Sequence, residues 1–200
     1  MYLIAADRWV EAARPRGIIE DKDKKIKETP DLTRGRKKYK MDLIPPPLIV
    51  ARYFAVDQAA IDTLQAKQDT AARALDELIE EHTGDEGVLE DAANDKGSVT
   101  KGSVKDRLKA IEGEPESDEE RDVLTRCIEL IDAEAEAAKT VREAQAALDD
   151  QVLAKYAKLG EAEIKTLVVE DKWFASLRSA MANEVERLTQ QLAGRVKELE

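Results

Sequence analysis

The sequence predicts an all-α protein of long antiparallel, coiled-coil-like helices. Three long helices plus short ones follow a mostly irregular basic N-terminal segment. Three observations predict this class. Apolar residues recur at helical spacing over 46–82, 117–159 and 171–199. Only 4% of the 200 residues are aromatic while 38% are charged, which suits helices that bury a narrow stripe and leave the rest wet. Glycine and proline punctuate the chain between these stretches, at Pro45–Pro47, Gly84, Gly87, Gly113, Pro115 and Gly160.

Each element follows in order. Residues 2–13 are apolar with Asp7, Arg8 and Glu11 interspersed, and read as a short helix, with a strand as the alternative. Tyr2, Leu3 and Trp9 need cover that little nearby can supply, which hints at a preceding part that has been removed. Residues 14–42 carry Pro15, Gly17, Pro30 and Gly35 among dense charge, a loop with at most a short strand near 17–20. The proline knot Pro45-Pro46-Pro47 is a junction between a segment 1–44 and a helical bundle 45–200. Proline is tolerated in a helix's first turn, where its missing N–H has no intrahelical partner to lose.

Behind the knot the first long helix, 46–82, places Val50, Phe54, Ile61, Leu64, Ala71, Leu75 and Leu78 on alternating 3/4 spacings with Asp57 and Gln68 as polar breaks, a coiled-coil seam. At 1.5 Å per residue it is a rod of about 55 Å. Residues 88–112 hold two short helices around the turn Asn94-Asp95-Lys96-Gly97, the second capped by Ser103 with Asp106, or by Thr100. The second long helix starts at Ser117 or Asp118, with Glu119 and Glu120 in the favoured first turn. A short helix at 161–167 follows, and Asp171 caps the third long helix. Its stripe is Phe174, Leu177, Met181, Val185, Leu188, Leu192, Val196 and Leu199.

The net charge of −11 is uneven. Residues 14–40 contain eleven Lys/Arg and five Asp/Glu, so the remainder carries −17. An acidic body does not favour non-specific DNA binding. The basic segment is the exception: Lys22, Lys24, Lys25, Lys27, Arg34, Arg36, Lys37, Lys38 and Lys40, with Tyr39, are candidate phosphate contacts. Asp21, Asp23, Glu28 and Asp31 are interleaved, and a solvated or protein-facing loop is the alternative. A smaller basic set, Lys96, Lys101, Lys105, Arg107 and Lys109, is interrupted by Asp95, Asp106 and Glu112.

No catalytic constellation emerges. Ile44-Pro45-Pro46-Pro47 is similar to the tetrapeptide of amino-methyltransferases, but that motif needs Asn, Asp or Ser first and an aromatic last, whereas here Ile44 stands first and the aliphatic Leu48 follows the three prolines. The nine glycines are scattered and none forms G-x-G, so no nucleotide or S-adenosylmethionine site is legible. His82 has no cysteine or histidine companion for a metal. Cys127 stands beside Leu124 and Ile128 as a small apolar residue, and a lone cysteine implies no internal disulfide and a reducing, cytoplasmic setting. No apolar run approaches the length of a membrane span.

The segment DLIPPPLIVARYFAVDQAAID (42–62) resembles the modification subunit of type I restriction-modification systems, at the point where that subunit leaves its methyltransferase domain. GIIEDKDKKIKETPDLT (17–33), NDKGSVTK (94–101) and EIKTLVVEDKWFASL (163–177) resemble the same tail in order and spacing, so the resemblance runs nearly end to end. It implies a parent that is an adenine-N6 DNA methyltransferase using S-adenosylmethionine. Two such subunits would join one specificity subunit, and the trimer would recruit restriction subunits. It also implies that the C-terminal helices pack on helices of the specificity subunit, with Phe174, Leu177, Met181, Leu188 and Leu192 as candidate contacts. The alternative is that these five close the internal bundle. The chain departs from the family in lacking its cofactor glycines and its Asn-Pro-Pro-Phe/Tyr motif, so no catalytic, cofactor or metal residue is carried over and no methylation is expected of this chain alone. The rival expectations are a nucleic-acid-binding protein acting through 14–40 and a structural coiled coil that homodimerises.

Overall fold

The computed structural model describes residues 8–18, 28–83, 87–94, 97–113 and 117–199. These residues are mostly helical, with one small antiparallel sheet. The chain divides into two compact units, 1–55 with 147–200, and 56–146.

The first unit opens with helix α1 (Trp9–Ala13), which packs on α6 (Glu161–Thr166). Three strands follow, β1 (Arg16–Gly17), β2 (Leu32–Arg34) and β3 (Lys37–Lys40), in the order β1-β3-β2. Leu32 faces Tyr39 and Arg34 faces Lys37, which leaves Gly35-Arg36 as a two-residue hairpin loop. Gly35 takes φ 58°, a conformation glycine adopts without a Cβ penalty. The loop expected over 14–42 is therefore partly sheet. The strand expected near 17–20 lies at Arg16–Gly17, and the hairpin was hidden by dense charge.

Helix α2 (Pro46–Tyr53) starts on the proline knot as expected. The single rod expected over 46–82 is broken, however, because Phe54 leaves helical geometry (φ −132°, ψ 26°) before α3 (Ala55–His82) begins. Ile49 is fully buried in the first unit, while α3 from Val56 onward belongs to the second. Packing in the first unit thus ends α2 where periodicity alone would run on.

Helix α5 (Asp118–Tyr156) matches the second expected helix to within three residues, with three acids in its first turn. Gly160 then begins α6. The third long helix does not start at Asp171. A π-helical segment (Leu167–Phe174) joins α6 to α7 (Ala175–Leu199), so 161–199 is one helical run. No glycine or proline interrupts 161–193. Asp171 caps nothing, and its carboxylate accepts from Arg52 instead. Leu148, Val152, Tyr156, Ile164, Leu167 and Val168 are buried in this unit with Ile44 and Ile49.

In the second unit, Leu89, Ala92, Val104, Ile111, Leu124 and Cys127 form one buried cluster, against which Leu75, Leu78, Ile79, Ile128 and Ile131 pack. Two short helices were expected over 88–112; residues 88–92 are instead hydrogen-bonded turns, and α4 (Lys101–Ala110) is the only helix of that stretch among the described residues. Thr100 caps α4: its Oγ1 accepts from the Ser103 N–H (3.2 Å), and Ser103 Oγ accepts from the Thr100 N–H (3.0 Å). Ser103 with Asp106 is not the capping pair. Cys127 is fully buried, and burial pushes its thiol pKa up, as suits an apolar filler rather than a nucleophile. No helix among the described residues is long and apolar enough to cross a membrane.

Candidate interaction surfaces

The root of α7 is built from the junction outward. The chain enters the bundle through Leu43 and Ile44, whose carbonyls both need donors. Lys172 Nζ donates to the Leu43 carbonyl at 2.6 Å, and the buried Tyr156 hydroxyl donates to the Ile44 carbonyl at 2.6 Å. At the far end of α2, Arg52 Nη1 donates to Asp171 at 2.6 Å and Tyr53 Oη to Glu163 Oε1 at 2.9 Å. The sequence places these pairs more than 100 residues apart. Both ends of α2 are thereby tied to the helical run that carries α7.

Glu163 is the hub of this root. It accepts from Lys155 Nζ (2.8 Å) and from the Gly160 N–H (3.0 Å) as well as from Tyr53, and Lys155 Nζ lies 3.9 Å from the Tyr53 ring centroid. The Lys155 hydrogen bond first, then those from Gly160 and Tyr53, hold its carboxyl at about 2. This hub was not legible beforehand, since its members are ordinary helix residues individually. Trp9, expected to be uncovered, is half-buried, with Lys165 Nζ 5.6 Å from its ring centroid. Tyr2 and Leu3 lie outside the described residues.

Beyond this root, α7 exposes its apolar stripe. The five candidate contacts are all open: Phe174 46%, Leu177 57%, Met181 62%, Leu188 46% and Leu192 65% exposed. Trp173, Val185 and Val196 extend the same surface. Among the described residues, no element buries them as an internal bundle would. The apolar positions read from the spacing coincide with this exposed stripe.

The basic segment assembles differently from its sequence. Lys22, Lys24, Lys25 and Lys27 lie outside the described residues. Arg34 forms a two-pronged pair with Asp150 at 2.5 Å, and that hydrogen bond raises the guanidinium pKa. Lys40 donates to Asp31 (2.8 Å) and to the Thr29 carbonyl (3.2 Å), so it braces the base of the hairpin. Arg16 is shared between Glu28 and Asp42. Lys38 also has a partner. Arg36 and Lys37 stand exposed at the hairpin tip. In the other basic set, Lys101 pairs with Asp132, Arg107 with Glu120 and Asp91, and Lys109 with Asp106. Among the described residues, no group of histidine, cysteine and carboxylate side chains could hold a metal ion.

No protein-family model, no curated protein and no solved structure matches this chain.

Proposed function

We propose that this chain is a helical interaction module, the C-terminal tail of a type I modification subunit, which docks on a specificity subunit. Docking would hold an adenine-N6 methyltransferase domain, bound to S-adenosylmethionine and outside this chain, over DNA in the cytoplasm. The module itself performs no catalysis. One observation carries the reading: a helix 25 residues long presents an open apolar stripe from a root held by packing and hydrogen bonds. Anchors at i, i+3/i+4 and i+7 are what a partner helix or groove requires. An apolar patch of this size on a folded unit is a mark of a protein-facing surface. The second unit supports the coiled-coil-like part of the reading. Gln68 donates to Glu134, and Leu75, Leu78 and Ile79 pack with Leu124 and Cys127, as in antiparallel packing of α3 on α5.

The nucleic-acid alternative draws less support, because three of the described cations of that segment, Arg16, Arg34 and Lys40, are paired with carboxylates, which leaves Arg36 and Lys37 exposed at the hairpin tip. Its mark would be DNA affinity that falls steeply with added salt.

The test is size-exclusion chromatography with light scattering, with and without the cognate specificity subunit. A stable complex that is lost in Leu192→Glu is the expected result. If the specificity subunit elutes alone beside a folded tail, docking by the tail is wrong.

A further inference from the structure

From Leu177 to Val196 the exposed stripe runs Leu177, Met181, Val185, Leu188, Leu192, Val196, with spacings of 4, 4, 3, 4 and 4. Two properties of this series matter. It repeats every 11 residues, about 3.67 per turn, so the stripe drifts only slowly round the helix and two copies pair along it with a right-handed wrap. The series is also the same read in either direction.

We infer that a second copy of this chain covers the stripe, by antiparallel pairing of α7 with α7. In the register centred between Glu186 and Arg187, Leu177 lies opposite Val196 of the second copy, Met181 opposite Leu192, and Val185 opposite Leu188. Every apolar side chain of the series meets an apolar side chain. This is the self-complementarity a two-fold interface requires.

The area is sufficient. At roughly 100 Å² each, the six residues of the series present on the order of 600 Å² from each partner, about 1,200 Å² in all, the lower bound of a stable interface. Direction is set by the root. Helices in contact lie about 8–10 Å apart, but the π-helical segment at the base of α7 is packed against α2. Parallel pairing would bring two such roots to the same end. Antiparallel pairing sets them at opposite ends of a helix about 37 Å long, with the two helix dipoles opposed.

This pairing uses the face that docking would use, but it rests on the spacing and not on that reading. Light scattering of the chain alone should give twice 22.3 kDa. Leu188→Glu should return it to a monomer, and Glu186→Gln on the polar face should leave it dimeric. Leu188 is already 46% exposed, so the charge should not unfold the chain, and circular dichroism checks that. Direction is read by oxidising single-cysteine variants. A mixture of Met181→Cys with Leu192→Cys should form a disulfide-linked pair, while neither does so alone, since the two 181 positions sit about 16 Å apart along the axis. Buried Cys127 is silent in both. A monomer at high micromolar concentration overturns the inference, even if the same sample still binds the specificity subunit. Self-linking of Met181→Cys by itself overturns the antiparallel register.

Discussion

The Tyr156 hydroxyl and the Ile44 carbonyl are satisfied by each other, out of contact with water. Removing the hydroxyl strands a buried acceptor. Tyr156→Phe should therefore destabilise the first unit by about 1–3 kcal/mol, read by denaturant unfolding. Glu163 makes a different prediction. Its carboxyl sits at about 2 in the folded chain, against an ordinary 4.5, chiefly through Lys155. A depressed carboxylate pKa contributes stability above the ordinary value, and that contribution is lost as pH falls from about 4.5 to about 2. Glu163→Gln should melt below the wild type at pH 7, and the gap should close by pH 2–3 in thermal scans at stepped pH. A constant gap across that range would assign the loss to packing. Neither residue stood out in the sequence. Tyr156 falls within the helical spacing expected over 117–159, but its acceptor lies 112 positions away, and no local pattern encodes such a pair.

At the scale of elements, legibility followed the range of the forces involved. Helix α5 was readable because its stripe, its acidic first turn and Gly160 all act locally. The start of α2 was readable because proline fixes its own φ. The break at Phe54 and the π-helical join at 167–174 were not. Each is decided by what the flanking turns bury, Ile49 on one side, Leu167 and Val168 on the other. The β2–β3 hairpin carried a signal that dense charge obscured, a glycine at the first position of a two-residue loop. Gly35 has open space around the position a Cβ would take, so Gly35→Ala isolates the backbone term. We expect a loss of about 1–2 kcal/mol in the first unit from the positive φ alone, measured by urea unfolding. An unchanged midpoint would mean that the hairpin does not contribute to the unit's stability.

At the scale of the molecule, the predicted class held in its coarse form: mostly helical, with a small sheet added. The candidate surfaces were legible to different degrees. An amphipathic stripe is a property of one helix, so the sequence exposed it fully. The basic segment is a property of many chain positions at once, and the carboxylates that pair with its Arg16, Arg34 and Lys40 are Glu28, Asp31, Asp42 and Asp150. A charge count along the chain cannot anticipate that Asp150, on α5, closes on Arg34.

Cys127 has a practical consequence. It is the chain's single thiol, and it lies wholly inside the cluster that holds 56–146 together, with no counterpart in the other unit. A reagent such as iodoacetamide can reach it only when that cluster opens, so its alkylation rate is a clock for one unit and blind to the other. Labelling should be slow in the native chain and fast in Leu124→Ala, where the cluster loses a buried neighbour. It should be unmoved by Tyr156→Phe if the two units open independently, and quickened by it if they open as one. A chain with one sulfhydryl thus carries its own built-in probe of whether its two units share a fate.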